Sequence, residues 1–206
     1  MAPNQARNFE TIVNNAAWQL LWDSGHGVNQ WQNPAASGWT RWANREYPFF
    51  QSACTQNSAT PDRILLSVTG GYGTDLNAWR TNTEAAITTI LQQIPSVQQL
   101  ILEPVVGGPN HQTCDCTAAM QATIQDCDFG PTVRASWQHA YIDTAIGMVL
   151  QDIQNNVYTP PGGVQVIAGS SPEVRTCADY YDGIGHLTPD GAQAVGVSIG
   201  QYHSSP

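Results

Sequence analysis

The segment Asp182-Gly183-Ile184-Gly185-His186-Leu187-Thr188-Pro189-Asp190-Gly191-Ala192 holds the residue types best suited to chemistry. An Asp and a His lie close together in a loop just ahead of a helix. A carboxylate so placed accepts from one imidazole nitrogen while the other nitrogen faces a nucleophile. The Asp then selects the tautomer and stabilises the imidazolium formed when the ring takes a proton. Spacing alone is equally served by a loop histidine paired with a local Asp beside a helix cap.

His111-x-x-Cys114-x-Cys116, with Cys127 beyond it, has the residue types of a metal cluster. Zinc sites favour paired C-x₂-C spacing, which is missing here, so the stretch reads as disulfides rather than as a metal site. The bridges would lie within the Cys114–Cys127 loop and reach Cys54 or Cys177, with one of the five cysteines left over. His139 is expected on a helix surface near its start, and Arg175 is expected to pair with Glu173. Trp31, Trp39 and Trp42 cluster in one stretch; two of the three are expected in the core, whereas exposed they would form a platform for a sugar.

Hydrophobic periodicity supplies the elements that must position these groups. Phe9, Ile12, Val13, Ala16, Ala17, Leu20 and Leu21 form one helical face over Phe9–Trp22. Val28–Gln32 reads as a short strand, Asn33–Gly38 as a turn and Trp39–Phe50 as partly helical. Short apolar runs over Arg63–Thr69, Gln99–Val106 and Val164–Ala168 read as buried strands. Between and after them, the pattern predicts helices over Asn82–Ile94, Ser136–Ile153 and Asp190–Tyr202. Alternating strands and helices signify right-handed βαβ crossovers and a mostly parallel sheet covered on both faces. Sites in such sheets lie outside the strands' carboxyl ends, here the Gly70–Asp75 loop, the Gly107–Cys116 loop and the Gly169–His186 segment.

The chain has 206 residues and reads as one domain over 1–206. Its formal charge is −9, its seven basic residues are all Arg, and charged residues are only 11% of the total. With a sequence pI near 4.6 and no basic cluster, a nucleic-acid partner is excluded, because phosphate binding needs a positive face. No apolar run is long enough for a membrane span. Five cysteines in a Lys-free, low-charge chain suggest an oxidising, secreted or periplasmic setting. Met1–Arg7 (MAPNQAR) carries no apolar signal segment.

The DGIGHLTPDGA segment, with the strands PDRILLSVTGG, QLILEPVVGG and VQVIA, resembles the SGNH (GDSL-type) hydrolase family over about Asn8 to Tyr202. That family's late segment commonly reads D-G-x-H-[LP]-[TN]-x-x-G, and Gly185 is one extra residue here. The resemblance implies a three-layer α/β/α, flavodoxin-like fold and hydrolysis of small acyl esters or acetylated carbohydrates. It assigns His186 as general base, Asp182 as its orienting carboxylate and, from Trp22-Asp23-Ser24-Gly25, Ser24 as nucleophile in a degenerate G-D-S box. Gly38, Gly71 and Thr74 are the implied oxyanion donors. Asp75 matches the family's G-x-N-D segment after the third strand, but no Asn precedes it. That chemistry needs no metal or organic cofactor. The family's nucleophile strand precedes its first helix, and Met1–Asn8 holds neither a Ser nor an apolar strand. An N-terminally truncated exported esterase is therefore one expectation. A catalytically inactive carbohydrate-binding module is another.

Overall fold

The computed structural model of the chain describes residues 27–44, 61–106, 134–173, 179 and 187–204, with backbone only for 134–138 and 204. The helix predicted over Phe9–Trp22 and all five cysteines lie outside these residues. Among them, helices α1 (Val28–Trp31), α2 (Ser37–Asn44), α3 (Leu76–Gln93), α4 (Arg134–Gln154) and α5 (Pro189–Ser204) accompany strands β1 (Arg63–Val68), β2 (Gln99–Pro104) and β3 (Gln165–Ala168). The strands form a small parallel sheet in the order β1-β2-β3. The chain divides into two compact units. The first takes the described residues within Asn15–Glu103 and Ile142–Gly169, and the second those within Pro104–Tyr141 and Ser170–Pro206.

In the first unit β2 is the middle strand, and five of its six residues are buried. A continuous apolar run is what a strand needs when both its neighbours and both its faces are covered. Its register sets Gln99 opposite Gln165 and Leu102 opposite Ala168. The Gln99 side chain donates to Gln165 Oε1 at 2.9 Å across that pair. Leu100, Ile101 and Leu102 of β2, Ile87 and Ile90 of α3, and Ile142 and Val149 of α4 are all at most 3% exposed. Fully burying each such side chain contributes about 1.5–3 kcal/mol, so these residues carry the core.

Helix α3 begins six residues before the predicted Asn82 because of a cap that apolar periodicity does not register. Asp75 is extended, and its carboxylate accepts from the Ala78 N–H at 2.9 Å. This satisfies one of the orphan donors of the first turn. Trp79, in that turn, is fully buried, and its indole N–H donates to the Gly73 carbonyl at 2.9 Å.

Val28–Trp31 is a helical turn, not the predicted strand. The Gln30 and Trp31 N–H groups both donate to the Gly27 carbonyl. Val28 and Trp31, the two buried residues, are three apart, which is helical rather than alternating spacing. The turn docks through the Val28 N–H on the Thr69 carbonyl at 2.8 Å, just past β1. Gly27 lies so close there that a Cβ would stand 2.5 Å from the Thr69 oxygen. Thr89 of α3 donates to the Gln32 carbonyl at 2.9 Å and holds the other end of the turn.

A polar seam joins α3 to the last turns of α4. Arg80 Nη1 meets Asp152 Oδ2 at 3.3 Å, and Tyr158 donates to the Glu84 carbonyl at 3.0 Å. Glu84 is pushed up to about 7 by burial, and further by hydrogen bonding to and repulsion from Asp152, with Arg80 opposing. The Tyr158 hydroxyl is raised as well, chiefly by burial.

In the second unit, α5 starts at Pro189, one residue before the predicted Asp190. Thr188 Oγ1 accepts from the Gly191 N–H at 3.2 Å, an N-cap followed by Pro at the first helical position. The Thr188 N–H donates to the Asp179 carbonyl at 2.8 Å. Ala192, Val195 and Ile199 are buried on one face of the helix.

Candidate functional site

The second unit gathers a histidine, a serine and a carboxylate. His139 lies in the stripe that continues through Ile142, Ile146 and Val149 of α4, and it is 7% exposed. The helix-surface position expected from the sequence is thus corrected. Its Nδ1 lies 2.6 Å from the carbonyl oxygen of Val105, the residue that follows β2. A carbonyl only accepts, so Nδ1 carries the proton, and the lone pair of the neutral ring is left on Nε2.

Nε2 faces Ser171 Oγ at 3.2 Å. Ser171 stands in Gly169-Ser170-Ser171-Pro172, directly beyond β3, with φ +48°. That left-handed conformation costs an L-residue about 1–3 kcal/mol and tends to persist where a side chain must be aimed. Nε2 also lies 3.7 Å from Glu173 Oε1. The histidine side chain is 9% exposed and the glutamate 63%, so the pair is a buried ring with a solvent-facing carboxylate.

This arrangement has a defined chemical capacity. The clamped ring presents a basic nitrogen to a hydroxyl within hydrogen-bonding reach, as a general base must. An imidazolium formed by that transfer keeps its Nδ1–H bond to Val105 and lies beside the Glu173 carboxylate. The backbone carbonyl thus fixes the tautomer, and the carboxylate balances the charge.

Ser24, Asp182 and His186 lie outside the described residues, as do Arg175 and the Cys-rich stretch. The described part of the DGIGHLTPDGA segment, from Leu187 on, starts α5. Gly191 sits against the Asp179 backbone, where a Cβ would collide with the carbonyl oxygen. Gly38 is buried in the first turn of α2 beneath the Trp31 ring, which leaves no room for a side chain. Gly71 and Thr74 are exposed in the loop between β1 and α3. Within that loop Tyr72 and Trp79 stack edge to face at 4.9 Å, and Gly70 packs against both rings. Burial raises the Tyr72 hydroxyl above its ordinary value. Asp75 serves as the cap of α3.

Trp31 and Trp39 are 9% and 6% exposed and meet edge to face at 5.4 Å, while Trp42 is half-buried. A sugar platform built on all three is ruled out by that burial. Among the described residues no three His, Cys, Asp or Glu side chains gather as a metal site. No helix among them is long and apolar enough to cross a membrane.

Sequence reasoning assigned no nucleophile to Ser171. A Ser in a turn past a strand is too common to stand out, and the bond to His139 joins residues 32 apart in the chain. The burial of His139 was readable from its place three residues before Ile142 in the apolar stripe. No protein-family model matches the chain, and neither the curated proteins nor the solved structures contain a match.

Proposed function

We propose that this chain hydrolyses small acyl esters, acetylated carbohydrates among them, through a nucleophilic serine. The observation that carries the reading is the Ser171 Oγ to His139 Nε2 contact, with the opposite ring nitrogen tied to Val105. Ser171 Oγ adds to the ester carbonyl carbon as its proton passes to His139 Nε2. The tetrahedral adduct collapses, the C–O bond to the alcohol breaks, and the alcohol leaves with that proton. Water, deprotonated by the same nitrogen, then attacks the acyl-serine; the acid departs and the proton returns to Ser171. No oxidant, reductant or further reactant is required.

The resemblance to SGNH hydrolases supports the same reaction class and a three-layer α/β/α arrangement around the parallel sheet. It implies a different pair for that chemistry, His186 as base oriented by Asp182 with Ser24 as nucleophile, as the alternative to Ser171 and His139. The cysteine content supports an exported setting for such an enzyme.

Hydrolysis of 4-nitrophenyl acetate by the intact chain tests the reading. Ser171→Ala and His139→Gln are expected to lower kcat/KM by about 10²-fold or more, with Ser24→Ala and His186→Ala as comparisons. Activity lost only in Ser24→Ala and His186→Ala would transfer the chemistry to those residues. A folded chain without any hydrolysis would overturn the esterase reading.

A further inference from the structure

Glu173 brings a formal negative charge beside the Ser171–His139 pair. Its carboxylate and Ser171 Oγ contact the same imidazole nitrogen, at 3.7 and 3.2 Å, so they lie within about 7 Å of each other. The carboxylate is 63% exposed, so it faces incoming solutes rather than a dry interior. The other charged side chains described in this unit, Asp179 and Asp190, are also acidic. The whole chain carries −9, a field that steers cations inward and anions away.

We infer that Glu173 sets the charge class of the substrate: the site takes esters that bear a cationic group within one short chain of the carbonyl and rejects those that bear a carboxylate there. The inference rests on the ester-hydrolysis reading above and adds a substrate class to it. A unit charge about 7 Å away in largely aqueous surroundings changes binding on the order of threefold, and opposite signs compound the effect. Cationic and anionic esters of one size should therefore differ by roughly sevenfold in kcat/KM.

Three 4-nitrophenyl esters of similar length provide the test: a 4-(trimethylammonio)butyrate, a pentanoate and a hemisuccinate. Each is assayed at low salt with the intact chain, with Glu173→Gln and with Glu173→Lys. The native chain should prefer the cationic ester. Glu173→Gln should shrink the cation-to-anion ratio at least fivefold, and Glu173→Lys should invert it. The ratio cancels any uniform loss of rate from a less stabilised imidazolium. Hydrolysis of the neutral ester with a ratio that neither variant moves would overturn the assignment of Glu173 and leave the esterase reading intact. Hydrolysis of none of the three would overturn both.

Discussion

Glu84→Gln offers a sharp test of the polar seam between α3 and α4. The folded chain holds the Glu84 proton up to about 7, against an ordinary 4.5. The folded state therefore binds more protons than the unfolded state between those values. Its stability must fall as pH rises through that interval and level off above it. At about 1.4 kcal/mol per pH unit, the interval sets a ceiling of roughly 3.4 kcal/mol. The carboxyl is only partly buried, so solvent screening reduces this to about 1–2 kcal/mol. Gln keeps a neutral amide beside Asp152 at every pH and removes the titration.

Urea unfolding of both proteins from pH 4.5 to 8, followed by Trp fluorescence, reads the difference directly, because other titrating groups cancel in it. The native chain should lose about 1–2 kcal/mol relative to Glu84→Gln between pH 5 and 7.5. With an ordinary m-value, that is a relative midpoint shift of roughly 0.5–1 M urea. Asp152→Asn should flatten the dependence only in part, since burial of Glu84 is the leading cause of its shift. A difference that does not vary with pH, or one in which the native chain gains with rising pH, would refute this account of Glu84.

Gly169→Ala should cost about 1–3 kcal/mol in thermal or urea unfolding, because its Cβ would strike the buried Glu103 carboxylate. Thr188→Ala should cost about 1 kcal/mol by removing the side-chain acceptor of the Gly191 N–H, whereas Thr188→Ser should restore most of it. Ser171→Gly should leave stability within about 1 kcal/mol of the native chain in urea unfolding, because release of a left-handed Ser offsets loss of its hydrogen bond to His139, while abolishing 4-nitrophenyl acetate hydrolysis. Retained hydrolysis in that variant would remove Ser171 from the chemistry.

The parts of the fold legible in the chain are those governed by local pattern. The apolar runs at Arg63–Val68, Gln99–Pro104 and Gln165–Ala168 became strands within one or two residues of their predicted ends. The long helices α3, α4 and α5 also emerged from their periodicity. What escaped were local rules that apolar spacing does not register. The Asp75 cap moved the start of α3, and the carbonyl of Gly27 turned Val28–Trp31 into a helix. Asp75 itself shows why a matching residue type is ambiguous. A carboxylate ahead of a helix fits a loop motif and an N-cap equally well, and only the Ala78 N–H distinguishes them.

By itself the sequence determined the types of the described strands and long helices, the parallel α/β character, the acidic charge balance and the segments in which a site should be sought. Each of these depends on residues near one another in the chain, or on totals that need no geometry. The tertiary structure alone decided which polar groups meet. His139 was an ordinary helix residue until the carbonyl of Val105 and the hydroxyl of Ser171, both more than thirty residues away, closed on opposite ring nitrogens. No spacing rule encodes such a contact. Its partners lie on segments brought together by the fold, and the tautomer that gives His139 its capacity as a base is set by the backbone of one of them.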